Sequence, residues 1–516
     1  MMRRSRAPRL RSTLGAAALV SALVLSGCSS SPGTPGASTP ASDGTLVVGA
    51  ASGIPQLNPA IRTFAFEETL FPLLWTGLTQ WNAAGEIVPD LATSWTSNDD
   101  ATEWTFTLAE GATYSDGTPL DAQAVADVFA YYLDPNTATQ EANKLATIDS
   151  VTAADDTTVV IALNAANAFL PESVTGVRMI KVDNVDDINS DTVTSGPYVV
   201  SEFTPDSTLT MTANDAYWGG EPAVEEIDLV KTADTTAATT GLRSGDLDVL
   251  INVAQSDVAT LEAEPNLAIH TPEVLSQAVT WEMDLTSAPF DDVRARQALA
   301  YATDREAILA AAYYGQGAVS TTNTMLADTN PYKSGALTEY PYDLDKAKEL
   351  FAEAGVTEGD TLVWWSSSAF AEQAAAGQIL QASLAEIGIT LEIQANDTAT
   401  WADKFYPAGK SYPGYIIANF QSVPSSPAFS MNFLLEGRCE CNWNSVAYDS
   451  AFASALATPA GDAQQAYWDT AQKLENEEVP LITPLIAAPA VASAASVTGI
   501  WIEGGGQVHL ESAAIE

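Results

Sequence analysis

Apolar and polar positions along this chain fall into two periods, and the periods sort it into strands and helices. Thr45–Ala50 (TLVVGA) is an apolar run with a glycine near its end, the pattern of a buried strand. Residues 104–108 (WTFTL) alternate large and small side chains, as a strand does, and 157–163 (TTVVIAL) and 209–213 (LTMTA) read as further strands. YSDGTP at 114–119 reads as a turn, because Asp-Gly tolerates positive φ and the proline stops the strand. Helical spacing takes over at 120–132, with Asp121 placed to cap the first turn, at 235–242, and at 292–312, a long run with few breakers. Residues 67–77 read as an apolar helix ended by Gly77, in spite of Pro72. Residues 345–354 (DKAKELFAEA) are amphipathic and stop at Gly355, which suits a left-handed cap. Residues 360–365, 371–387 and 389–394 then read strand, helix, strand, with Gly388 closing the helix. That order implies a right-handed crossover and a layered α/β lobe.

The first 44 residues follow neither period. Arg3, Arg4, Arg6, Arg9 and Arg11 precede an apolar stretch, 12–25, too short to span a bilayer comfortably, which takes about 20 residues. A basic head, a short apolar middle and small residues behind it read as a secretory leader over 1–27. Leu25-Ser26-Gly27-Cys28 resembles a bacterial lipobox, which implies that Cys28 becomes the mature N-terminus and carries lipid. Such an anchor holds through about 0.8 kcal/mol per buried methylene. Residues 28–44, rich in Ser, Pro, Gly and Thr, are expected to be a flexible tether.

Composition narrows the function. Lys and Arg number 21 against 66 Asp and Glu, and the leader removes five of the 21. Phosphate binding needs basic clusters, so nucleic acid is excluded as the expected partner. With 46% hydrophobic residues and no second long apolar run, the body is expected to be soluble, and its length calls for two or three lobes. Two histidines and three cysteines are a poor inventory for a metal site. Cys439-Glu440-Cys441 suits a tight loop disulfide in an oxidising compartment. No glycine loop has phosphate-cradle spacing, and no cofactor is called for.

Residues 73–134 carry a more specific pattern: PDLATSW, then WTFTL, then SDGTPLDAQAV. SGPYVVSEF (195–203), NDAYWGGEPAVEEI (214–227), APFDDVRARQALAYATDREAI (288–308), DLDKAKELFAEAG and LQASLAEIGITLEI follow in order. Together these blocks resemble the extracellular solute-binding proteins of ABC importers, family 5, the peptide/nickel/opine type, over nearly all of 45–490. The resemblance implies an α/β fold: a two-lobed periplasmic-binding-protein-like clamshell (class II, cluster C) with an additional lobe. It places lobe I at 45–80, 195–278 and 486–516, lobe II at 81–194 and lobe III at 279–485. It also implies a monomer, lipid-anchored on the outer face of the cytoplasmic membrane, that hands a small solute to a permease and ATPase complex and is not an enzyme.

By the same resemblance the solute-lining candidates are Phe64, Ala65 and Phe66 on a lobe I edge, Gln277 and Trp281 at the start of lobe III, and Trp401, Tyr415 and Asn419. Peptide binders of the family often fix the ligand's α-ammonium with one aspartate, whose position falls here on Asn419. No acid occurs between Gly414 and Glu436. An amide accepts a hydrogen bond but carries no charge, and charge-assisted bonds are about twice as strong. This departure argues against a free-amine di- or tripeptide; the resemblance implies a peptide or peptide-like solute, with an oligosaccharide or other neutral solute as the alternative and Trp281, Trp365, Trp401 and Trp443 as candidate stacking platforms. Trp95, Trp104 and Trp218 are expected in the core, and Arg294, Arg296 and Arg305 in structural contacts. Nickel is disfavoured, since His270 and His509 are the only imidazoles. A secreted glycosidase or a surface sensor lipoprotein are the remaining readings, and no pair of carboxylates stands out by its spacing to support the former.

Overall fold

The computed structural model describes residues 44–50, 53–61, 67–405, 411–422 and 426–516, all within one compact unit, Pro40–Glu516. The lipidation expected at Cys28 and the contacts expected at Phe64, Ala65 and Phe66 lie outside the described residues.

The first sheet has seven strands in the order Leu267–His270, Val491–Ala494, Val249–Leu250, Thr45–Ala50, Glu226–Lys231, Thr208–Ala213 and Tyr198–Thr204. Its heart is parallel, Thr45–Ala50 lying between Glu226–Lys231 and Val249–Leu250. Leu46, Val48 and Ala50 alternate onto one face of this strand and are all buried there, while Thr45 and Val47 on the other face are half-buried. At Gly49 a Cβ would stand 2.5 Å from Leu247 Cδ1, so a side chain there would displace the leucine that follows the helix Thr235–Ser244 and packs on the sheet. That helix is capped by Asp234, which accepts from the Ala237 amide at 2.8 Å, and it ends at Gly245 in the left-handed conformation.

The second sheet is antiparallel, in the order Ala92–Ser97, Glu103–Leu108, Thr158–Leu163, Ile148–Ala153. The helix Ala122–Leu133 lies on it through buried Val125, Val128, Phe129 and Tyr132. Asp121 caps this helix by accepting from the Ala124 amide at 3.0 Å. Asp121→Ala should cost about 1 kcal/mol, the usual value of such a cap. Urea unfolding of the variant checks this, and an unchanged midpoint would show that the helix does not depend on its cap.

The third sheet has the path Gly317–Val319, Leu485–Ala487, Gln277–Met283, Tyr415–Ser422, Thr361–Ser367, Thr390–Asn396, with Leu481–Ile482 also on Gln277–Met283. Thr361–Ser367 and Thr390–Asn396 pair in parallel and are joined by the helix Ala371–Glu386, the strand–helix–strand unit read from the sequence. The run 292–312 is two helices, Val293–Ala302 and Arg305–Ala311, rather than one. Thr303 is extended and Asp304 caps the second helix at the Ala307 amide, so a capping aspartate outweighs the lack of glycine or proline. Arg296 and Arg305 are buried and donate to main-chain carbonyls, Arg296 to Phe290, Glu478 and Val479 and Arg305 to Ala300 and Tyr340.

The chain passes between the first and third sheets twice, after Leu267–His270 and after Leu485–Ala487. A C-terminal hairpin, Trp501–Ile502 with Val508–His509, sits against both passages. The Ser276 amide donates to the Gly504 carbonyl at 3.2 Å, and a Cβ on Gly506 would lie 3.3 Å from Pro489 Cγ. The region of the second sheet reaches the third separately. The Ala168 amide donates to the Leu456 carbonyl at 2.7 Å, and the Phe169 ring packs edge-on against Trp468 and Tyr332.

Candidate functional site

Gln277–Met283 and Tyr415–Ser422 run antiparallel, with Thr280 opposite Asn419 and Trp281 opposite Ala418. Side chains alternate across a strand, so the pair has two unlike faces. Val279, Trp281, Met283, Ile416 and Ala418 join the helix-covered core. Thr280, Glu282, Ile417 and Asn419 take the opposite face, together with Trp365 from the next strand.

This division separates the candidate aromatics. Trp281 is fully buried and meets Trp364 edge-on at 4.9 Å, so its indole packs the core and presents no face to a solute. Trp443 is also a core residue, donating from Nε1 to Glu478 Oε2 at 2.8 Å and packing on Tyr448. Trp365 and Trp401, themselves buried at 9% and 8% exposure, come together with Tyr412 and Ile417 in one cluster, and Tyr415 packs on its edge. Lys404 Nζ lies 3.5 Å from the Tyr415 ring centroid and 4.8 Å from that of Trp365, a cation held on two π faces. Gln277 starts its strand beside the first passage between sheets, its Nε2 3.5 Å from the position a Cβ would take on Gly506.

Asn419 is 7% exposed, and its Nδ2 donates to Glu282 Oε1 at 3.2 Å. Thr280 Oγ1 donates to the same oxygen at 3.4 Å. With Nδ2 engaged, the amide presents Oδ1 as an acceptor without a partner among the described residues. Glu282 itself is wholly buried, and its Oε2 has no hydrogen-bond partner. Burial raises the Glu282 pKa and the nearby Glu440 charge raises it further; Asn419, Gln421 and Thr280 pull it down, and the balance stands at about 8. Burial pushes Glu440 up to about 6, and its Oε2 also lacks a partner.

Glu440 is delivered by the loop that carries Cys439 and Cys441, which are joined by a disulfide with their Cα atoms 5.0 Å apart. Asp284, at the end of Gln277–Met283, ties this loop down. It accepts from Asn442 Nδ2, from Ser287 and Ser411 hydroxyls and from the Tyr412 amide. Partial burial works against ionisation of Asp284, but the Ser287, Thr286 and Ser411 bonds hold its pKa down to about 2. The Leu285 amide donates to the Cys441 carbonyl, and Tyr412 Oη donates to the Glu440 carbonyl. Sequence reasoning singled out neither Glu282 nor Glu440. The available sign was Glu282 on the polar phase of an otherwise apolar strand, QAVTWEM.

His270 bonds to Ser493 at 2.9 Å, and His509 to Glu503 and Glu511. Among the described residues no three His, Cys, Asp or Glu side chains stand together as a metal site.

Two passages of chain thus link the first and third sheets, and the third sheet carries a polar, aromatic face. The sequence model of "Bacterial extracellular solute-binding proteins, family 5 Middle" matches residues 86–438, and the chain belongs to that family. A glutathione-binding protein of Shigella boydii is 25% identical over 479 residues, 89% of this chain and 92% of that one. Heme-binding protein A of Haemophilus influenzae is 29% identical over 309 residues, 54% of this chain, and the match spans only 56% of that protein's length. In structure, a dipeptide-binding protein of Pseudoalteromonas in complex with Met-Leu superposes with TM-score 0.80 at 22% identity, covering 92% of this chain and all of the other. The fold is thus that of the two-lobed periplasmic binding proteins, and the chain is a solute-binding protein of the ABC-importer type, not an enzyme.

Proposed function

We propose that this chain captures a peptide or peptide-like solute and delivers it to a membrane permease, tethered by lipid on Cys28 to the outer face of the cytoplasmic membrane. The solute lies along the end of Tyr415–Ser422, its main chain pairing as an added strand would. Rotation about the two passages then encloses it. Closure follows from tighter binding to the closed form, since a ligand shifts an equilibrium only by its differential affinity. The three sheets serve as cores of lobes 45–80 plus 195–278 plus 486–516, 81–194 and 279–485. The observation that carries this reading is the oriented Asn419 amide beside the Trp365–Trp401–Tyr415 cluster, on one face of one sheet. The printed names of the glutathione-binding and dipeptide-binding relatives support it. The same aromatic cluster favours a second reading, an oligosaccharide or other neutral solute stacked on rings.

A thermal-shift comparison on the full chain in detergent decides between them. Short peptides should raise stability by RT ln(1 + [L]/Kd), about 2.7 kcal/mol at a hundredfold excess over Kd. A rise with oligosaccharides and none with peptides would replace the first reading by the second.

A further inference from the structure

We infer that Glu172 is a proton-operated latch between two parts of the molecule: protonated, it lets the region of the second sheet rest on that of the third, and ionised, it loosens the contact. The inference goes beyond the receptor reading and holds whatever solute the cleft takes.

Its starting point is how the cores are divided. One continuous core holds Leu46, Val48 and Ile227 of the first sheet together with Phe106, Val125 and Ile161 of the second. The third sheet has a core of its own around Trp281 and Trp364. A shared, close-packed core makes the first two sheets one body and leaves the third as another. Besides the two passages of chain, these bodies touch through the segment around Phe169. The Ala168 amide donates to the Leu456 carbonyl at 2.7 Å. The Phe169 ring, carried by the first body, packs in a cluster with Met431, Leu434 and Trp468 of the second. Lys144 crosses in the same way, its Nζ 5.0 Å from the centroid of the Phe429 ring.

Glu172 stands in this contact, on the short helix Leu170–Ser173. The residue is half-buried, but its Oε2 is shut off from solvent and has no hydrogen-bond partner. An ionised carboxylate there is costly unless it is paired. No cation offsets it. Ser426, which opens the helix Pro427–Ser430 on the other body, offers a hydroxyl and no charge. Burial and the Glu172 charge both raise the Tyr332 pKa, so that phenol stays neutral. Lys144 is taken by Glu141 at 2.9 Å. Burial raises the Glu172 pKa, the Ser426 bond lowers it, and the balance stands at about 8.

The sign follows. With the contact parted, the carboxyl returns to water and to its ordinary value of 4.5. The contact therefore takes up a proton between that value and about 8. It is strongest below the lower limit, weakens by about tenfold per pH unit between the two, and levels off above the upper. A receptor built this way loosens as its surroundings turn alkaline.

Amide hydrogen exchange of the full chain in detergent, read by mass spectrometry from pH 6 to pH 8 and divided by the unstructured rate at each pH, tests this. Protection of the Ala168 amide should fall about tenfold per pH unit. Protection of Phe106, inside the second sheet, should stay constant. Glu172→Gln, uncharged throughout, should hold its pH 6 protection at Ala168 up to pH 8. Constant protection at Ala168 in the wild type would overturn the latch, and that result needs no variant. The same fall in Glu172→Gln would overturn it by assigning the proton to another group. A parallel fall at Phe106 would overturn it in favour of general unfolding.

Discussion

His509→Gln should lower the stability of the protein by about 3 kcal/mol at pH 6, the scale of breaking a buried ion pair from one side. Both ring nitrogens of His509 lie 3.0 Å from carboxylates, Nε2 from Glu503 and Nδ1 from Glu511, so both donate and the ring is an imidazolium. The ring is buried and stacks on Trp501 at 3.6 Å. Burial alone would lower its pKa; Glu511 and Glu503 overcome this and hold it at about 9. A folded-state pKa above the ordinary 6.5 gives a contribution that is complete below pH 6.5 and is lost as pH rises through about 9. Burial raises the Glu511 pKa and His509 more than reverses it, so that carboxylate stays ionised beside the ring. Urea midpoints at pH 6, 7.5 and 9.5 separate this from simple packing. The gap between wild type and variant should narrow as pH rises. A gap constant across that range would mean that the ring acts by shape and not by charge.

Trp281→Ala should cost about 4 kcal/mol, in the range for removing a large buried aromatic side chain. The indole fills the space between the third sheet and its helices, against Trp364 and among Leu299, Ile308 and Leu380. Alanine leaves a cavity there that the surrounding strands and helices cannot fully close. Solute affinity of the molecules that remain folded should be unchanged, because the ring lies on the face opposite Glu282 and Asn419. A variant of wild-type stability with lost solute binding would put Trp281 back among the ligand contacts.

That residue also shows where the sequence was sufficient and where it was not. Period and breakers located the strand Thr361–Ser367, the helix Ala371–Glu386 and the strand Thr390–Asn396 to within a residue or two, because each is set by local preference and a glycine stop. The same reasoning ran 292–312 together, since the break between its two helices rests on a threonine turning extended before a capping aspartate. Phase along a strand says which residues share a face, but not which face meets the helices. Hence Trp281 and Trp365, alike in sequence, lie on opposite sides of one sheet. Glu282 was hidden for a related reason. Antiparallel pairing sets Asn419 against a partner 137 residues away along the chain, and nothing in the sequence around Asn419 points to it. The loop that supplies Glu440 is fixed by Asp284, and nothing local to either segment announces the other.

The contact made by Phe169 bears on what it costs to move the region of the second sheet away from that of the third. Its ring is seated between Trp468 and Tyr332, across from the elements that carry it. Any swing that parts these surfaces returns a phenylalanine to water, at about 2 kcal/mol. Any motion that keeps the ring seated avoids that cost, so the seat favours movements that pivot about it.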